Sequence, residues 1–179
     1  MLLIAVVAPV ALGIGFAAAV ASRSASPLLS IPGRGYIALA RGVPDIVFFL
    51  FVPIALDQGF EYLRYLMICP VQPDGVWQGN NFLVCSAAKL PLSTAAPLWH
   101  SVYGFGLAVI SFGLVFGAFA GNVLAGSFTA VPIAQIQTGA SFGMTQSQVF
   151  HRILVPQMWV FALPGLSNLW QILIKATPL

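Results

Sequence analysis

Charge is what this chain has least of. Only 6% of its 179 residues are Asp, Glu, Lys or Arg, against roughly 25% in a typical soluble domain. So few charges cannot cover a surface that faces water, so most of the chain must face lipid or other buried helices. The seven basic residues never form a run. That argues against a nucleic-acid partner, because neutralising phosphates needs clustered Lys and Arg. There is no G-x-x-x-x-G-K-[ST] loop, so any ATP must be handled by another protein. The two histidines, His100 and His151, have no acidic residue at metal-ligand spacing, which argues against a metal site. Both also sit at the ends of apolar segments, which leaves no serine and histidine at one depth for intramembrane proteolysis. No catalytic residue and no cofactor is expected.

What is present is apolar: 59% of the residues are hydrophobic. The first 21 residues carry no charge and, at ~1.5 Å per residue, reach ~31 Å, enough for a hydrocarbon core of ~30 Å. A signal peptide would have a basic leader, whereas the first cation here, Arg23, follows the run, so the segment reads as a span. Arg23, Arg34 and Arg41 then place residues 22–41 in the cytoplasm and the N-terminus outside. A second span centres on "IVFFLFVPIAL". Pro44 suits a first helical position there, and Asp45 sits at the positive end of the helix dipole. Asp45 is thus either a helix-start charge at the interface or a group on the substrate path.

Residues 57–97 form the most polar region and fall outside by alternation. Cys69 and Cys85, the only two cysteines, both lie in it. They are either a disulfide around the turn-prone "QPDG" or two unlinked small apolar residues. The third span, from about Leu98 to Asn122, carries Gly113, Gly117 and Gly121 on one face, where another helix can approach closely. The fourth, from about Ile153 to Ile174, is expected to break at Pro156 and at "LPG", Leu163 to Gly165. Asn168 and Gln171 on it either line a pore or bond to neighbouring helices. The expected fold is an all-α membrane protein, a polytopic bundle with four spans visible.

Between the third and fourth spans lies "QTGASFGMTQSQVFHRILVP", residues 137–156. Its spacing resembles the signature loop of bacterial ABC-importer permeases, in which Glu-Ala-Ala is followed by a glycine and then by Ile-x-Leu-Pro. Gln137, Thr138 and Gly139 take the first three positions, Gly143 the glycine, and Ile153, Val155 and Pro156 the end. "RGVPD" at Arg41 to Asp45, "AVP" at Ala130 to Pro132, "SQVFHRI" and "ALPGLSNLWQILIKATPL" are similar to the polar amino acid subfamily. The sequence departs from that pattern at Gln137 and Asn122, where relatives commonly carry glutamate, and at Ala125, where they carry arginine.

The resemblance implies a single permease domain of the bacterial plasma membrane over residues 1–179, incomplete at both ends, with a further hydrophobic stretch of ~20 residues downstream. It also implies an extracytoplasmic loop at 57–97 and a cytoplasmic coupling loop at 132–152, with contact to an ATPase through Gln137, Thr138, Gly139, Gly143, Ile153 and Pro156. The partners implied are a second permease subunit, cytoplasmic ATP-binding subunits, an extracytoplasmic solute-binding protein, membrane lipid, and a polar, basic amino acid as cargo. Asp45, Asn122, Asn168 and Gln171 are the candidates for its path. A passive channel, a membrane scaffold or a degenerate, inactive permease are the alternatives.

Overall fold

The computed structural model describes residues 2–42, 44–68, 76–78, 82–84 and 97–176. Among the described residues, seven α-helices and one antiparallel pair of strands follow in the order α1 (Leu2–Ser22), α2 (Pro27–Gly42), α3 (Asp45–Ile68), β1 (Val76–Gln78), β2 (Phe82–Val84), α4 (Pro97–Ala130), α5 (Ile133–Ser141), α6 (Gln146–Val149) and α7 (Val155–Ala176), with a π-helical turn at Phe150–Leu154 leading from α6 into α7. Three of these stretches, Leu2–Ser22, Ser101–Ala130 and Gln146–Lys175, are long and apolar enough to cross a membrane. The second apolar segment forms the 24-residue α3, which at ~1.5 Å per residue reaches ~36 Å.

The chain divides into two compact units. One contains Met1–Asp45 and Phe112–Leu179, and the other Ile46–Ser111. In the first, α1 and α4 meet through small residues. A Cβ added at Gly15 would lie 2.7 Å from the Gly121 nitrogen and 2.9 Å from the Gly117 oxygen, and one added at Gly117 would meet Ile14 at 3.0 Å. Gly113 faces Val10 in the same way, so the glycines at four-residue spacing do form the contact face of the third span. In lipid, where no hydrophobic driving force acts between helices, this close backbone approach supplies the packing energy. Toward the far end of both helices the core continues through Ala19, Leu124, Phe128, Met158 and Ala162, with Phe16 stacked on Trp159 at 6.3 Å.

Residues 22–41, expected as a loop, are mostly the helix α2. Its inner face is Ser30, Gly33 and Ile37, all buried. Gly33 is seated so tightly on α1 that a Cβ would lie 2.8 Å from the Ser22 nitrogen. The Tyr36 hydroxyl donates to the Leu114 carbonyl of α4.

Two further expectations are corrected. α4 runs to Ala130 rather than ending near Asn122, and α7 continues unbroken through Pro164. Pro164 is exposed, so its missing N–H costs a hydrogen bond on an outward face, while Gly165 is held with its Cβ position 2.7 Å from Val123. The interruption lies earlier, at the wide turn Phe150–Leu154, which ends two residues before Pro156.

Within the second unit, Tyr103 of α4 donates to Asp57 of α3 at 2.6 Å. The strands pair antiparallel with Val76 opposite Val84 and Trp77 opposite Leu83, a small β element within residues 57–97, the region expected as a loop. Cys69 and Cys85 lie outside the described residues.

Candidate functional site

The signature stretch folds as an elbow of two arms. Helix α5 ends in a Schellman motif: the Met144 N–H donates to the Gly139 carbonyl at 3.2 Å and the Gly143 N–H to the Ala140 carbonyl at 2.9 Å. This closure requires a left-handed residue after the cap, and Gly143 supplies it with φ +78°. The second arm starts at once with a capping box. The Gln148 N–H donates to the Thr145 hydroxyl at 3.3 Å, and the Thr145 N–H to the Gln148 side-chain oxygen at 2.9 Å, so two orphan donors are satisfied reciprocally.

The arms are packed together by Gly139. It is buried, and a Cβ there would lie 2.5 Å from the Ile153 Cδ1 and 3.3 Å from both the Met144 sulfur and Val149. The elbow is therefore rigid at its inner corner, and it is rooted in the core by Phe150, which stacks on Phe128 of α4 at 6.1 Å.

The structure thus brings Gly139 and Ile153 together and sets Gly143 at the bend. Gln137 and Thr138 point away from that corner and are exposed, as is Pro156 at the start of α7. The Thr138 hydroxyl is taken by the Ala134 carbonyl at 2.8 Å, which leaves Gln137 as the more available polar group on this face. Two outward residues were not anticipated. Phe142 is 84% exposed at the tip of the elbow and Ile133 is 70% exposed at its start. The signal for them was an aromatic residue immediately before the bend glycine, in a loop otherwise polar.

The path candidates are spread out. Asp45 is the first residue of α3, Asn122 is half-buried on α4, and Asn168 and Gln171 are exposed on α7. The last two belong to a longer stripe: Pro164, Asn168, Gln171 and Lys175 recur at helical spacing, and all are exposed. The opposite face of α7 carries Met158, Ala162 and Leu173, which are buried. A polar stripe on a spanning helix is unfavourable against lipid, so such a face belongs against protein or water. On the apolar side, α1, α4 and α7 line an open cavity of about 230 Å³ walled by Phe116, Trp159, Trp170 and aliphatic residues. No group of His, Cys, Asp and Glu suited to a metal ion occurs among the described residues.

No family model matches the chain. It is 32% identical over 154 residues, covering 82% of this chain and 56% of the relative, to the arginine ABC transporter permease protein ArtQ of Escherichia coli strain K12. To the histidine/lysine/arginine/ornithine transport system permease protein HisQ of the same strain it is 31% identical over 166 residues, covering 93% and 60%. The chain is a homologue of the polar amino acid ABC permeases.

A crystal structure of an amino acid ABC transporter with histidines superposes with a TM-score of 0.64 at 18% identity, covering 97% of this chain and 63% of that one, so the permease fold is shared. The chain spans somewhat more than half the length of the curated relatives it matches, 56% and 60%. Permeases of this kind are transport components of the bacterial inner membrane rather than enzymes.

Proposed function

We propose that this permease homologue is the transmembrane subunit of an ABC importer that carries a polar, basic amino acid by alternating access. The observation that carries the reading is the elbow. Two short helical arms are locked at Gly139, bent at Gly143 and rooted in the core through Phe150. They present two bulky apolar residues outward, Phe142 at the tip and Ile133 at the start of the first arm. An exposed phenylalanine on a rigid corner is suited to a groove on a partner, and a corner fixed to α4 and α7 transmits a push to the spans rather than absorbing it.

In this reading residues 132–152 are cytoplasmic and meet an ATP-binding subunit through Phe142, Ile133 and Gln137. Residues 57–97 are extracytoplasmic and face a solute-binding protein. A second permease subunit covers the stripe of Pro164, Asn168, Gln171 and Lys175, and the cargo passes along it. The names of the relatives, which carry arginine or the histidine/lysine/arginine/ornithine group, support a basic amino acid.

The experiment is co-expression with candidate partner subunits, followed by uptake and ATPase measurements in reconstituted vesicles. Phe142→Ser should abolish both ATPase binding and uptake while leaving the thermal transition of the chain within about 0.5 kcal/mol of the wild type, as for other exposed substitutions. Flux that persists without ATP or an ATPase would favour a passive channel instead.

A further inference from the structure

We propose that the corner between α1 and α2 is a binding site for the phosphate headgroup of an anionic phospholipid, held by Arg23 and Arg34.

The argument begins with charge. The unit formed by Met1–Asp45 and Phe112–Leu179 contains Arg23, Arg34, Arg41, Arg152 and Lys175, and Asp45 is its only acidic residue. Two of these cations converge where α1 ends. The Arg34 Nε donates to the Ser22 carbonyl at 3.1 Å, which brings its guanidinium to the residue beside Arg23. Arg23 in turn lies over the ring of the buried Phe128, with 5.3 Å between its guanidinium carbon and the ring centroid. Both side chains are exposed. Among the described residues their fixed contacts are one carbonyl oxygen and one aromatic face, and neither has a carboxylate. Two guanidiniums held at one helix end, with the Arg34 Nε already given to Ser22, still have Nη donors to offer a phosphate.

The level in the membrane fits a lipid rather than a free anion. α1 is the length of one span and ends at Ser22, so Arg23 stands at the edge of the hydrocarbon. Beside it, α2 shows apolar residues on two faces. The inner face packs on α1 and α4, whereas the outer one leaves Leu28 86% exposed and Ile31 69% exposed. These large aliphatic side chains, one turn apart next to a pair of arginines, suit an acyl chain and its headgroup together. An anionic lipid bound there holds the turn between α1 and α2 at the headgroup level.

The test uses the purified full-length chain, delipidated and offered mixtures of phosphatidylglycerol and phosphatidylcholine, with bound lipid read by mass spectrometry of the intact complex. The wild type should prefer phosphatidylglycerol by about fivefold for each arginine, or about 25-fold for the pair. Arg23→Gln with Arg34→Gln should bring the preference close to unity, and Arg152→Gln should leave it unchanged. Should the double glutamine variant fail to fold, Arg34→Gln alone should lower the preference about fivefold.

No preference in the wild type would overturn the proposal, as would an undiminished preference in the double glutamine variant or an equal loss in Arg152→Gln. Complete displacement of phosphatidylglycerol by excess inorganic phosphate would also overturn it, by showing a site for a free anion.

Discussion

The contact between α1 and α4 and the elbow between α4 and α7 both depend on glycine, for opposite physical reasons. In the spans, Gly15, Gly117 and Gly121 are ordinary helical residues chosen for their size, most strictly at Gly15, where a Cβ would lie inside 3 Å of the Gly121 nitrogen and the Gly117 oxygen. At the bend, Gly143 has nothing within 4 Å of its Cβ position, yet it holds a φ of +78° that other residues avoid. One region is specified by space and the other by backbone conformation. Gly139 belongs to the first kind although it sits in the second region, since the arms close on it. Substitutions that add volume should therefore damage the spans and the inner corner, and those that restrict φ should damage only the bend.

The largest effect is expected at Gly15. Gly15→Leu would push against backbone, which cannot rotate away as a side-chain tip can, so the cost should be about 3 kcal/mol or more. The helix pair should separate or the protein fail to accumulate, as read by thermal unfolding in detergent. Gly13→Leu and Gly126→Leu are the matched controls, because neither position has a neighbour within 4 Å. They should be neutral or stabilising by up to about 1 kcal/mol through helix propensity. Equal damage at Gly13 and Gly15 would remove close approach as the explanation.

Next comes the inner corner. Gly139→Ala places a methyl 2.5 Å from the Ile153 Cδ1, the end of a flexible side chain, so the cost should be smaller, about 1–2 kcal/mol. Ile153→Ala in the same protein should recover part of it, giving a measurable coupling in a double-mutant cycle. Strict additivity of the two changes would mean that the arms do not press on each other there.

The spans and the bend were legible in the sequence because each leaves a one-dimensional trace. Apolar runs of span length mark α1, α4 and α7, the four-residue spacing of Gly113, Gly117 and Gly121 marks the contact face, and the register from Gly143 to Pro156 marks the elbow. α2 left no such trace. Its inner face is made of Ser30, Gly33 and Ile37, two small residues and a single aliphatic one that read as loop until α1 is set against them, and its arginines read only as a topology signal. Pro164 and Gly165 misled in the opposite direction. Helix-breaking types were read as a break, whereas the helix is continuous there and Gly165 is the place where Val123 of α4 packs closely. The outward Phe142 was hidden because periodicity shows where a helix is buried but not which residue projects from a turn.

A smaller effect belongs to the cap of the second arm. Thr145→Ala removes the side-chain half of the capping box and should cost about 1 kcal/mol, with loss of protection for the Gln148 amide in hydrogen exchange. Thr145→Ser should restore that protection, because the hydroxyl and not the methyl accepts the bond. Unchanged protection in Thr145→Ala would mean that the second arm is held by Phe150 and Ile153 alone.

The last comparison within the elbow pairs conformation with surface. Gly143→Ala must place a Cβ at φ +78°, a cost of about 1 to 2 kcal/mol, yet the added methyl meets nothing, so the chain should still fold while the angle between the arms shifts. Gln137→Glu changes an exposed side chain and should alter stability by no more than about 0.5 kcal/mol. In the isolated chain the two variants therefore differ modestly. With an ATPase partner they should separate. Gly143→Ala should weaken the response of ATP hydrolysis to substrate because it moves Phe142 off its docking position, whereas Gln137→Glu should strengthen docking wherever the partner offers a donor, since a charged acceptor makes a bond of about 1.5–3 kcal/mol before desolvation. Substrate-stimulated ATPase activity in vesicles reads both. Opposite signs in the two variants would tie coupling to the geometry of the bend and to the chemistry of the exposed face, and equal, wild-type responses would make the elbow only a connection between α4 and α7.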